Sequence, residues 1–154
     1  MTKAKRTVRV AIHIAAPRSA VWAELEKIER HVDWMMDAVA IRFLNDRHRG
    51  VGTEFECDTK MGPFRLTDVM DIIEWEPELS MSVRHRGAVS GLGRFTLRDE
   101  TGGATTLLWE ERLAFPWWLG STLGAAIARP ILARVWRGNL RRFEASVLAG
   151  GAFA

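Results

Sequence analysis

The chain has 154 residues, 47% of them hydrophobic and 27% charged, which excludes a disordered or fibrous protein and leaves one compact domain. A domain of this size buries roughly 70% of the surface that its unfolded chain exposes, enough to enclose a core or a cavity without covalent staples. The net charge of +3 raises the question of a polyanionic partner.

In chain order, Val8, Val10, Ile12 and Ile14 share one face and Arg9 and His13 the other, so a half-buried strand is predicted over 7–14. Pro17 suits a first helical position, and Val21, Trp22, Leu25 and Ile28 recur at helical spacing, predicting a short helix to about Lys27. Val32, Trp34, Met35 and Met36, interrupted by Asp33 and Asp37, predict a second short helical turn. From Ala38 to Phe115 the apolar residues alternate between Gly- and Pro-containing breaks. Six strands fit, near 39–47, 52–60, 64–75, 79–87, 92–99 and 104–114, joined by short turns into an antiparallel meander. Leu132, Val135, Trp136, Leu140, Phe143 and Val147 then mark one face of a long C-terminal helix, with Arg134, Arg137, Arg141 and Arg142 largely on the other. Pro130 lies inside or just before it and is expected to kink or restart it. The tail from Ala149 to Ala154 reads as flexible. The result is a single domain over 1–154 with an ordered core of about 6–148: an α+β chain in which a curved seven-stranded antiparallel sheet wraps a long helix, with two short helices between the first two strands.

The run Val10-Ala11-Ile12-His13-Ile14-Ala15-Ala16-Pro17, then Val21-Trp22, Trp34-Met35, Gly50-Val51-Gly52-Thr53, Trp75-Glu76-Pro77 and the terminal helix together resemble the SRPBCC superfamily. That group includes polyketide cyclase/dehydrase-like, START-like lipid-transfer and birch-pollen-allergen-like proteins. The resemblance covers almost the whole chain and rests on the order and spacing of motifs that are individually unspecific. It implies a helix-grip fold with a deep apolar cavity, and no single activity.

Strand parity indicates which side chains face that hollow. Met81 and Val83 carry His85 inward; Leu66, Met70 and Ile72 carry Asp68; Trp109, Glu111 and Leu113 share a face. A tight turn at Glu76-Pro77-Glu78 sets Asp68 and His85 nearly opposite each other, with Gly93 between His85 and Glu111. Such a row suits general acid–base work, because a histidine titrates near neutrality and a carboxylate orients it. A structural reading ranks ahead of it, since buried polar groups need partners in any case; ligand orientation ranks second and catalysis third. The wall itself is predicted from the aromatic residues, seven Trp and seven Phe with no Tyr. Trp34, Phe55, Phe95, Trp109, Trp118 and Trp136 are its candidates, joined by Met70, Met81, Val83, Leu123 and Ile127. Paired Trp117 and Trp118, between Pro116 and Gly120, suggest a lid over the mouth, with a membrane or subunit contact or simple core packing as alternatives.

Other signatures are missing. His13, His31, His48 and His85 have no metal-ligand spacing, Gly91-Leu92-Gly93 precedes a strand and is no dinucleotide fingerprint, and neither Ser90 nor Ser121 sits in a nucleophile elbow. No metal or cofactor is expected, and Cys57 reads as a small core residue. As the single cysteine it points to a reducing, cytoplasmic compartment. No secretory signal is expected at Met1–Val10, and the 16 uncharged residues from Leu113 to Ala128 fall short of the roughly 20 that a membrane span needs. Lys3, Lys5, Arg6 and Arg9 give the first nine residues +4, and five arginines against Glu144 give residues 116–154 another +4, so residues 10–115 total −5. The excess charge therefore belongs to the two ends. It reads as a solvated helix face and not a nucleic-acid groove, leaving at most a weak peripheral membrane contact. The expected partner is a small hydrophobic molecule (lipid, quinone or polyketide-like) bound by a monomer or homodimer. The alternatives are an aromatase/cyclase or dehydratase using His85 with Asp68 or Glu111, and an interaction protein without ligand turnover.

Overall fold

The computed structural model describes residues 6–114 and 122–151, the side chains of Arg6, Met61 and 122–128 aside. Strand β1 (Arg6–Ile14) leads through Pro17 into helix α1 (Arg18–Leu25), then a single 3₁₀ turn (Ile28–Arg30) running directly into α2 (His31–Trp34). Six strands follow, β2 (Ala38–Phe43), β3 (Glu54–Met61), β4 (Phe64–Glu76), β5 (Ser80–Arg86), β6 (Ser90–Asp99) and β7 (Thr105–Ala114), before helix α3 (Thr122–Gly151). The sheet order is β1-β7-β6-β5-β4-β3-β2, antiparallel throughout, so the meander closes by returning β1 to the side of β7. This is the helix-grip architecture expected from the sequence.

The expected faces hold. Val8, Val10 and Ile14 of β1 are buried, as are Val21, Trp22, Leu25 and Ile28 around α1, and Leu132, Trp136, Leu140, Phe143 and Val147 of α3, while Arg134, Arg137, Arg141 and Arg142 lie on the outer side of the helix. Burying each large apolar side chain contributes roughly 1.5–3 kcal/mol, which makes this stripe the main attraction between sheet and helix. Asn139 adds direction. Fully buried on α3, it accepts from the Met36 N–H at 3.0 Å and donates to Asp37 Oδ1 at 2.7 Å, tying the helix to the segment between α2 and β2. On the convex face, Arg84 and Arg86 converge on Asp71 at 2.7 and 2.9 Å.

Several boundaries differ from expectation. Strand β2 stops at Phe43 instead of 47, because Asn45 turns the chain: its side chain donates to Gly52 O at 2.9 Å and accepts from the Arg47 N–H at 3.2 Å. Strand β3 starts at Glu54, after Gly50 and Gly52 have adopted left-handed conformations (φ 84° and 89°). Pro17 is the residue before the first helical position, and Pro130 lies within a helix that is continuous through Ala149–Gly151, where a flexible tail was expected.

The register between β4 and β5 also differs. Met70, not Asp68, stands opposite His85, and the residue across from Asp68 along that register is Gly87. A bulge between Ile72 and Glu74 and the Glu76 to Leu79 turn, with Glu78 at φ 62°, set this offset. Because the offset is two residues, the parity survives and Asp68 still faces the hollow. Similarly, Gly91 faces His85, whereas Gly93 faces Val83 and Glu111.

Candidate functional site

A cavity of about 140 Å³ lies between the concave face of the sheet and α3. Phe55, Met70, Met81, Val83, Phe95, Trp109 and Trp136 are part of its apolar wall, and Asp68, His85 and Glu111 are among its polar groups. All ten of these belong to the set expected from parity and composition. Trp34 does not line the cavity: it is 1% exposed and packs edge-on against Phe95, Trp109 and Phe143, so it belongs to the core. The short helix α2 turns its ring into the layer between sheet and α3. Trp118, Leu123 and Ile127, and the lid expected at Trp117 and Trp118, lie outside the residues whose side chains are described.

The polar end is built by three strands. Glu111 on β7 is buried, and its Oε1 accepts from the Trp109 indole N–H at 2.9 Å. Its Oε2 approaches His85 Nε2 to 3.4 Å. That separation permits an ion pair, but the two atoms are not aligned for a hydrogen bond: both ring nitrogens of His85 and Glu111 Oε2 are buried without a hydrogen-bond partner among the described residues. Burial pushes the His85 imidazolium down, but the Glu111 carboxylate and then Asp68 raise it, and the net direction is upward from 6.5. Asp68 accepts a long hydrogen bond of 3.4 Å from the Val89 N–H, and burial pushes its carboxyl upward.

Glycine makes the arrangement possible. A Cβ on Gly93 would stand 2.6 Å from Glu111 Oε1, and one on Gly87 would overlap Asp68. The strand between His85 and Glu111 thus carries no side chain where the two meet.

Among the lining residues that were not anticipated, two are ionisable. His31 on α2 lines the wall and is buried, with Nε2 donating to Leu25 O at 2.7 Å, and burial pushes it down to about 4, so it is neutral. Asp37 lines the wall beside α3 and is held by Asn139. The usable signal was helical spacing, which places His31 three residues from both Ile28 and Trp34, on the inward side of the turn. Cys57 lines the cavity as a buried thiol, pushed by burial up to about 11 and therefore protonated and a poor nucleophile.

None of the helices among the described residues is long and apolar enough to cross a membrane. No protein-family profile and no curated protein matches the sequence. Solved structures, however, match over nearly the whole chain. A protein of Thermus thermophilus superposes with a TM-score of 0.78 at 17% identity, covering 94% of this chain and 99% of its own. The Zhui aromatase/cyclase from Streptomyces sp. R1128 gives 0.70 at 17% identity, covering 95% and 93%. The di-domain aromatase/cyclase StfQ from the steffimycin biosynthetic pathway gives 0.77 at 12% identity over 95% of this chain and 51% of that one, so this chain spans about half its length. At these identities the likeness concerns architecture, and it agrees with the layout of strands and helices described above: the chain has the helix-grip fold that these proteins share.

Proposed function

We propose that the protein binds a small hydrophobic molecule, of the lipid, quinone or polyketide-like kind, in the cavity beneath α3. The observation that carries this reading is a largely apolar cavity with three buried polar atoms that find no hydrogen-bond partner among the described residues, His85 Nδ1, His85 Nε2 and Glu111 Oε2. Native cores rarely leave such atoms unmet, and a ligand that reached them would remove a cost of roughly 1–3 kcal/mol per group. A dry apolar cavity of about 150 Å³ admits benzene, so the cavity of about 140 Å³ is close to the size of one ring. Native mass spectrometry of the purified protein, followed by solvent extraction of retained material, tests the reading. The fluorescence of Trp109 and Trp136 offers a second readout, because both rings line the cavity. A protein that retains nothing and responds to no member of an apolar panel defeats the proposal.

A second reading is an aromatase/cyclase or dehydratase that uses the same cavity. It is favoured by the approach of His85 to Glu111 and by the aromatase/cyclases among the structural neighbours. In it His85 moves the proton, while Glu111 or Asp68 stabilises the imidazolium. His85→Ala should then abolish turnover and retain binding; undiminished turnover removes His85 from the mechanism.

A further inference from the structure

The charge of the cavity wall is one-sided. Its described ionisable residues are Asp37, Asp68, Glu111, His31 and His85, besides the protonated Cys57 thiol, with no Lys or Arg among them. Residues 115–128 carry no ionisable side chain by sequence, so that segment supplies no cation either. Three arginines of β5 and β6 are engaged elsewhere: Arg84 and Arg86 hold Asp71, Arg86 also reaches Glu54 at 3.2 Å, and Arg94 pairs with Glu74 at 2.8 Å; Arg98 is exposed to solvent. His31 is spent on Leu25 O as a neutral donor. Against three carboxylates, His85 is the one lining side chain that can carry positive charge among the described residues.

The carboxylates differ in how well they are met. Asp37 accepts the Asn139 amide at 2.7 Å. Asp68 has a neutral backbone donor at 3.4 Å, and Glu111 has the neutral Trp109 indole on Oε1 while Oε2 is buried and has no hydrogen-bond partner among the described residues. One imidazolium cannot offset both Asp68 and Glu111, and a buried uncompensated carboxylate is costly. The upward displacement of the Asp68 carboxyl by burial reflects the same deficit. Nearby, Phe95, Trp109 and Trp136 line the cavity, and the Trp109 and Trp136 rings stack 5.0 Å apart. Aromatic rings attract a desolvated cation through their quadrupoles, more strongly at a dry site than at an exposed one.

We propose that the cavity selects an apolar molecule carrying a protonated amine, whose ammonium meets Glu111 Oε2 and Asp68 while its body lies among the aromatic rings. The proposal rests on the reading of the cavity as a ligand pocket and narrows its ligand class. A fatty acid or other carboxylate is disfavoured, because it would bring a further negative charge to a wall whose described residues include three carboxylates and no Lys or Arg. A neutral hydroxyl can donate to Glu111 Oε2 but leaves the charge uncompensated. An ammonium does both.

The test is a matched one-ring series, toluene, benzyl alcohol, benzylamine and benzoate, titrated at neutral pH into the intact protein with tryptophan indole N–H shifts as the readout. Benzylamine should bind about tenfold tighter than toluene, equivalent to about 1.4 kcal/mol, and benzoate more weakly than toluene. In the isosteric double variant Asp68→Asn, Glu111→Gln the amine advantage should shrink towards unity while toluene binding persists. Benzyl alcohol matching benzylamine, or benzoate matching toluene, overturns the amine proposal and leaves the ligand-pocket reading standing. Failure of all four, toluene included, overturns both.

Discussion

His85 and Glu111 stand on strands that are not neighbours, yet His85 Nε2 and Glu111 Oε2 come to 3.4 Å of each other past Gly93 on the strand between them. The pair makes His85 sensitive to one distant carboxylate. Glu111→Gln should lower the His85 pKa, because burial then opposes only the weaker pull of Asp68. Histidine ring-proton titration by NMR measures it, and an unchanged midpoint shows that Glu111 is not the cause.

The same pair sets a stability slope. His85 titrates above 6.5 in the folded chain, so its protonated form contributes stability that is fully present below 6.5 and lost as pH rises through the elevated value. Denaturant unfolding of the parent chain should therefore show this contribution fading on the alkaline side of 6.5, and Glu111→Gln should flatten it.

His31 predicts the opposite slope. Its folded value of about 4 lies below the ordinary 6.5, so the unfolded chain binds the extra proton and stability falls as pH drops from 6.5 towards 4. The interval corresponds to a loss on the order of 3 kcal/mol, at about 1.36 kcal/mol per pH unit. In His31→Gln the acid-side fall over that interval should be smaller than in the parent chain, as read from urea unfolding at stepped pH.

Gly93→Ala and Gly91→Ala should separate a side-chain effect from a backbone one. The new Cβ at position 93 meets the far end of the Glu111 side chain at 2.6 Å, which can swing away, so the expected cost is about 1–3 kcal/mol together with a fall in the His85 pKa. At position 91 the Cβ would overlap the Arg112 carbonyl, and φ is 146°, so the variant should be the less stable of the two. Unfolding curves and the His85 titration, run side by side, check both statements.

Asn139→Ala should destabilise the chain by about 2–4 kcal/mol, since it removes a fully buried amide and leaves the Met36 N–H and Asp37 without their partner. A loss near that of an ordinary exposed helix substitution, under about 0.5 kcal/mol, would mean that the link from α3 to Asp37 does not hold the helix in place.

The architecture was legible because it rests on period. Alternation marked the strands from Val8 to Leu113, and a spacing of three to four residues marked the buried face of α3 from Leu132 to Val147, each pattern matching its element's geometry. Parity also brought Asp68, His85 and Glu111 to one cavity, and it survived a wrong register because the error was an even number of residues. Trp34 was misplaced because helical spacing says that a side chain is buried without saying whether it faces core or cavity.

By itself the sequence determined that this chain is one antiparallel sheet closed by one long amphipathic helix, with its positive excess at the two ends, because these properties follow from residue order and local periodicity. Which polar atoms meet was decided by tertiary structure alone. The bulge after Ile72, the left-handed Glu78 and the bare face of Gly93 set distances between side chains far apart in sequence, and no local pattern encodes those distances. His85 is paired at 3.4 Å and Asp68 is offset beside Gly87 for that reason: strand period selects a face, and only the closed sheet selects a neighbour.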